Sequence, residues 1–167
     1  MGSDLELRCH EHVNQPYARV SELLRADAVG LFARATRGAA SQAARLRPQL
    51  AVRLGAVELS APVEVTIVSV DDAVSPLHSP ATRFGIEWRA CTRTGLFPEM
   101  QAVLWVYALS ARETQVVFTG RYAPPLGLLG AVLDALVGRR VAEACARRFV
   151  EDVAAELRHE LAGARCA

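Results

Sequence analysis

The chain contains no lysine: every one of its 19 basic residues is arginine. That absence excludes Schiff-base catalysis, a pyridoxal phosphate anchor and the lysine of a phosphate-binding loop, all of which need an ε-amine. Cysteine is sparse and scattered. Cys9, Cys91, Cys145 and Cys166 form no C-x-x-C pair, so neither a zinc site nor a disulfide framework is indicated, and reduced thiols in a cytoplasmic protein are expected. Excess charge of one sign is lacking too, since 19 basic residues against 18 acidic ones leave +1. Such a balance draws in neither nucleic acid nor anionic lipid, and the arginines alternate with acids instead of forming a basic stripe. Long apolar runs are missing: the most apolar stretch, Leu126–Val137, is short and carries Asp134, so no membrane-spanning segment is expected. Met1–His12 is charged and has no signal-peptide core, and Glu6 stands where a myristoylation motif wants Ser or Thr.

What is present is apolar and periodic. With 51% hydrophobic residues in 167, a single domain over 1–167 is expected, large enough to bury about 70% of its unfolded surface without metals or disulfides. Leu5 to Val13 alternates, with Leu7 and Cys9 on one side and Arg8, His10 and His12 on the other, which predicts a strand with one wet face. Pro16 opens a first short helix striped by Tyr17, Val20 and Leu24. Asp27 caps a second, carrying Leu31, Phe32, Ala35 and Ala39, and Pro48 is expected to end it.

From Gln49 the period becomes two, predicting strands over Leu50–Val57, Val63–Val70, Arg83–Thr92, Met100–Leu109 and Thr114–Tyr122 in an antiparallel meander. Asp71–Pro80 reads as an exposed loop. Phe84, Ile86 and Trp88 oppose Arg83, Glu87 and Arg89; Val116 and Phe118 oppose Gln115 and Thr119; and Leu104 and Val106 take the inner face of their strand, leaving Trp105 and Tyr107 outside. Leu128–Leu161 then repeats an apolar residue every fourth position, from Leu129 through Leu133, Val137, Val141, Cys145 and Phe149 to Leu161. It predicts one helix of about 50 Å.

This order, with Leu96-Phe97-Pro98, the run Gly120-Arg121-Tyr122-Ala123-Pro124-Pro125-Leu126-Gly127 and Arg140-Val141-Ala142-Glu143, resembles the START-like SRPBCC superfamily, the polyketide cyclase/dehydrase and lipid-transport group. The resemblance covers about Val63 to Leu161, and its motifs are specific for fold, not for a reaction. It implies an α+β helix-grip fold: a strand, two short helices, a curved antiparallel meander and a long carboxy-terminal helix packed across the sheet. It also implies a cavity between sheet and helix. The ligand-binding walls would then be Phe84, Ile86, Trp88, Leu104, Val106, Phe118, Leu133, Val137 and Val141, with Arg140 laying its stem along the wall to meet a ligand carboxylate.

The remaining chemistry is thin. His10 and His12 lie on one side of a strand and can chelate, but they point outward and zinc wants three or four ligands, so no metal and no cofactor are expected. No serine stands in G-x-S-x-G, and no glycine-rich phosphate loop exists. Trp105 and Tyr107 read either as a cross-strand stack under arginine or as a patch for self-association through the outer sheet face. The function expected is binding of a hydrophobic or amphipathic small molecule, as carrier or sensor. The alternatives are a cyclase/dehydratase-type enzyme and a protein-interaction module on the outer sheet face.

Overall fold

The computed structural model describes residues 5–54, 63–90, 99–123 and 132–163. Its elements are β1 (Leu5–Val13), α1 (Tyr17–Leu54), β2 (Val63–Val74), β3 (Pro80–Ala90), β4 (Glu99–Ala108), β5 (Thr114–Ala123) and α2 (Val132–Gly163). All strand pairs are antiparallel, in the order β1-β5-β4-β3-β2, so the first strand closes on the last and β1 and β2 are the edges. The fold class is α+β. No helix among the described residues is long and apolar enough to cross a membrane.

The two expected helices are present within α1, meeting at Asp27, whose φ of −147° and ψ of 51° are not helical, but the second is not short: it runs past Pro48 to Leu54. The Asp27 carboxylate accepts a hydrogen bond from the Gly30 amide at 3.0 Å, so the helix stops and is capped afresh within one residue. The strand expected over Leu50–Val57 does not form. Residues 50–54 are helical, and the remainder lies outside the described residues. Alanine, arginine, leucine and glutamine dominate Ala39–Leu54, and their helix propensity outweighs the single donor that Pro48 removes.

Both helices cover one face of the sheet. α2 packs against β1 and β5, α1 against β2 and β4, and the two helices against each other. Beneath them Phe149 is fully buried, its ring centroid 5.5 Å from Trp88, 5.7 Å from Phe32 and 6.0 Å from Phe118, with Phe84 5.7 Å from Phe32. The interplanar angles of 68–76° are the edge-to-face arrangement that aromatic quadrupoles favour. Gly120 leaves room for this cluster, since a Cβ there would stand 2.9 Å from Phe118 Cε1 and 3.0 Å from Met100 Sδ.

The Asp71–Pro80 segment is also corrected. β2 runs on to Val74 and β3 starts at Pro80, leaving a tight turn instead of an open loop. Inside that turn Ser75 is buried, its hydroxyl 2.7 Å from that of Ser79, which in turn donates to the Ala108 carbonyl at 2.9 Å. The tips of two hairpins are thereby tied together. His78 takes a positive φ of 59° to close the turn.

Phe149→Ala is expected to lower stability in urea denaturation by about 3–5 kcal/mol. Gly120→Ala is expected to cost about 1–3 kcal/mol by overpacking against Phe118.

Candidate functional site

Strand register determines which side chains share the helix-covered face. Leu7, Gly120, Ala102 and Ile86 form one cross-strand row, Cys9, Phe118, Leu104 and Phe84 the next, and Glu11, Val116, Val106 and Thr82 a third. Six of the residues expected on the ligand walls, Phe84, Ile86, Trp88, Leu104, Val106 and Phe118, thus come together in one apolar cluster. Leu133, Val137 and Val141 belong to α2 by backbone, but their side chains lie outside the described residues. Arg140 is exposed on α2, beside a surface depression shared with Arg147, Arg148 and Glu151.

The cluster is not uniformly closed. Phe84, Leu104, Val106 and Phe118 have 0% exposure, whereas Trp88 keeps 6%, Met100 and Ala102 5%, and Ala142 of α2 7%. These residual exposures are small, and on the edge strand Val70, opposite Phe84, keeps 46%. Phe149 and Phe32 were legible as core residues of helices but not as partners of Trp88 and Phe84. The pattern of one helix cannot say where along its length it meets a strand.

Polar groups on the inner face are few and engaged. Tyr17 and Thr82 hydroxyls lie 2.8 Å apart, with Thr82 fully buried. Arg25 pairs with Asp72 and reaches the Thr82 hydroxyl at 3.4 Å. Glu11 accepts from Arg158 at 3.3 Å, and the same guanidinium donates to the His12 carbonyl. Burial pushes the Cys9 thiol up to about 11, against the weaker pull of Arg147, so it stays protonated near neutrality.

The outer face carries a smaller apolar cluster of Ala81, Tyr107 and Val117, edged by Ala73 and Trp105. The Arg83 guanidinium lies 5.8 Å from the Trp105 ring centroid, and the Tyr107 hydroxyl donates to Gln115 Oε1 at 3.1 Å. Arg83 stands there because it is the residue opposite Trp105 in the β3–β4 register. His10 and His12 are exposed with ring centroids 5.8 Å apart, and no group of three or more His, Cys, Asp or Glu side chains able to hold a metal occurs among the described residues.

Comparison with solved structures bears on this architecture. The Zhui aromatase/cyclase from Streptomyces sp. R1128 superimposes with a TM-score of 0.50, covering 94% of this chain and 95% of that one at 17% identity. The chain has the helix-grip fold. At that identity the likeness concerns the fold alone. Also similar are TTHA0849 from Thermus thermophilus (TM-score 0.41, 14% identity, 92% and 97% covered) and Ara h 8.0201 (TM-score 0.38, 8% identity, 92% and 97% covered). No protein-family model matches the sequence, and no curated protein matches it. Within the helix grip, the carboxy-terminal helix is the element that the sheet holds.

The thiol at Cys9 yields a direct test. Its thiolate fraction at mildly alkaline pH is expected to be about 100-fold below that of an ordinary cysteine, because each pKa unit is a factor of ten. Peptide mapping after iodoacetamide should show slow labelling at Cys9 that accelerates only as the pH approaches 11.

Proposed function

We propose that the chain is a single START-like domain over 1–167 acting as a cytoplasmic carrier or sensor, which binds a hydrophobic or amphipathic small molecule between sheet and α2. The observation that supports this most directly is the gathering of Phe84, Ile86, Trp88, Leu104, Val106 and Phe118 into one apolar cluster on the face that the helices cover. In this reading Phe84, Leu104, Val106 and Phe118 form the floor, and Ile86, Trp88, Met100 and Ala102 the wall. Leu133, Val137 and Val141 of α2 complete the site, and Arg140, being exposed, serves only the solvent-facing end of a ligand. Affinity comes from apolar area withdrawn from water, at about 25 cal/mol per Å².

Binding is favoured over turnover by the state of the inward ionisable groups. Glu11 is held by Arg158, Asp72 by Arg25, and Cys9 keeps its proton, so none of the three is poised as a base toward an apolar guest. The outer face is less favoured as a partner surface, because Tyr107 is buried and Trp105 lies under Arg83.

Trp88 reports on this site once Trp105 is removed. In Trp105→Phe protein, titration with fatty acids, quinones or aromatic polyketides is expected to change Trp88 emission saturably and to raise the melting temperature. A flat emission curve and an unmoved melting temperature across all three classes would reject the binding reading.

A further inference from the structure

Among the described residues, three of the six exposed large apolar side chains stand at one end of the sheet. Val74, 67% exposed, ends β2; Leu77, 56% exposed, lies in the β2–β3 turn; and Leu109, 38% exposed, opens the β4–β5 turn. The two turns are joined, since the Ser79 hydroxyl donates to the Ala108 carbonyl.

The β2–β3 turn keeps its backbone donors to itself. The Ser75 amide donates to the Ser79 carbonyl and the His78 amide to the Ser75 carbonyl, both at 2.9 Å. The Leu77 and Ser79 amides donate to the Ser75 hydroxyl, each at 3.2 Å. Pro76 and Pro80 have no N–H to satisfy. Every backbone donor from Ser75 to Pro80 is therefore absent or engaged inside the turn. In the second turn the Leu109 and Ser110 amides share the Glu113 carbonyl, at 2.9 and 3.2 Å. A turn that supplies its own acceptors loses little when water leaves it, whereas an ordinary turn is left with unpaired donors. Leucine exposed on such a turn gains by leaving water.

Charge selects the medium that fits. Between Val74 and Pro80 the only ionisable side chain is that of His78. Just behind it Asp71 pairs with Arg83 and Asp72 with Arg25, and in the second turn Arg112 is followed by Glu113. An apolar tip backed by balanced charge matches zwitterionic head groups with hydrocarbon beneath them. Three side chains on two turns also fall far short of the roughly 800 Å² that each partner of a specific protein complex buries. We propose that the joined β2–β3 and β4–β5 turns dock the protein on a zwitterionic lipid surface, with Leu77 and Leu109 entering the acyl boundary beside Val74. The contact is peripheral and reversible. It goes beyond the binding reading above and does not depend on it.

The test is cosedimentation of the full chain with phosphatidylcholine vesicles. The parent is expected to bind, with a partition coefficient that changes less than about twofold as salt is raised, because screening acts on charge and not on apolar contact. Leu77→Ser should lower the coefficient about tenfold, the scale of one half-inserted leucine. Leu109→Ser should act in the same direction, and the double variant should not bind. Leu77→Trp should retain binding, since tryptophan favours the interface. Val29→Ser, at a 72% exposed position of α1 outside the turns, should leave it unchanged. All these positions are exposed, so the variants should melt with the parent, and circular dichroism verifies this. Binding that survives in the double variant, or that appears only on anionic vesicles and is reversed by salt, would overturn the inference. So would the absence of vesicle binding, which would leave the turns to a protein partner. None of these results bears on ligand binding between sheet and α2.

Discussion

Phe149 is the residue on which the helix-covered side of the sheet converges. It touches the aromatic rings of β3, β5 and α1 at once, at 5.5–6.0 Å, so one ring ties α2 to all three. Each ring contributes area burial, with a further 0.5–1.5 kcal/mol or so for each well-oriented aromatic pair. The consequence for the site is spatial. The rings that meet Phe149 on β3 and β5 are those of the expected wall residues Trp88 and Phe118, so this ring lies against the proposed site.

Around that core, arginine acts as the joining residue. Arg34 of α1 donates to Glu156 of α2 at 2.8 Å and lies within 3.6 Å of Glu160 and 3.7 Å of Asp27, so one guanidinium links the break in α1 to the last turns of α2. Arg25 joins α1 to β2, and Arg158 joins α2 to β1. A planar fork with several donors can satisfy more than one acceptor, which an ammonium does less well. These pairs are about a third exposed or more, so solvent screens them and they orient elements that apolar burial stabilises.

Most of the architecture was legible in the sequence, because period-two alternation and the fourfold repeat of α2 are direct images of burial. The inner faces of β3, β4 and β5 follow from that alternation, as does the placement of Trp105 and Tyr107 on the opposite side. Asp27 was legible as a cap. The failures share a cause: local pattern carries no information on tertiary competition. Leu50, Val52 and Leu54 alternate like a strand, yet they continue the helix that Asp27 caps. Asp71–Val74 looks polar and loop-like, but it is strand because β3 offers it a full ladder of partners. For the site, the wall residues could be named individually, whereas their packing partners depend on where Phe32 and Phe149 arrive from distant parts of the chain.

The irregularity in β2 has an implication for how this chain can vary. Up to Ile67 the odd-numbered residues lie opposite the inner row of β3; beyond the shift between Ile67 and Ser69 the even-numbered ones do, which is how Asp72 comes to face Arg25. The strand thus behaves as a phase counter. A length change of one residue within it inverts the polarity of everything downstream, whereas a change of two restores it. A relative with a single gap here is one in which the latch between the first helix and the sheet edge has been lost or rebuilt.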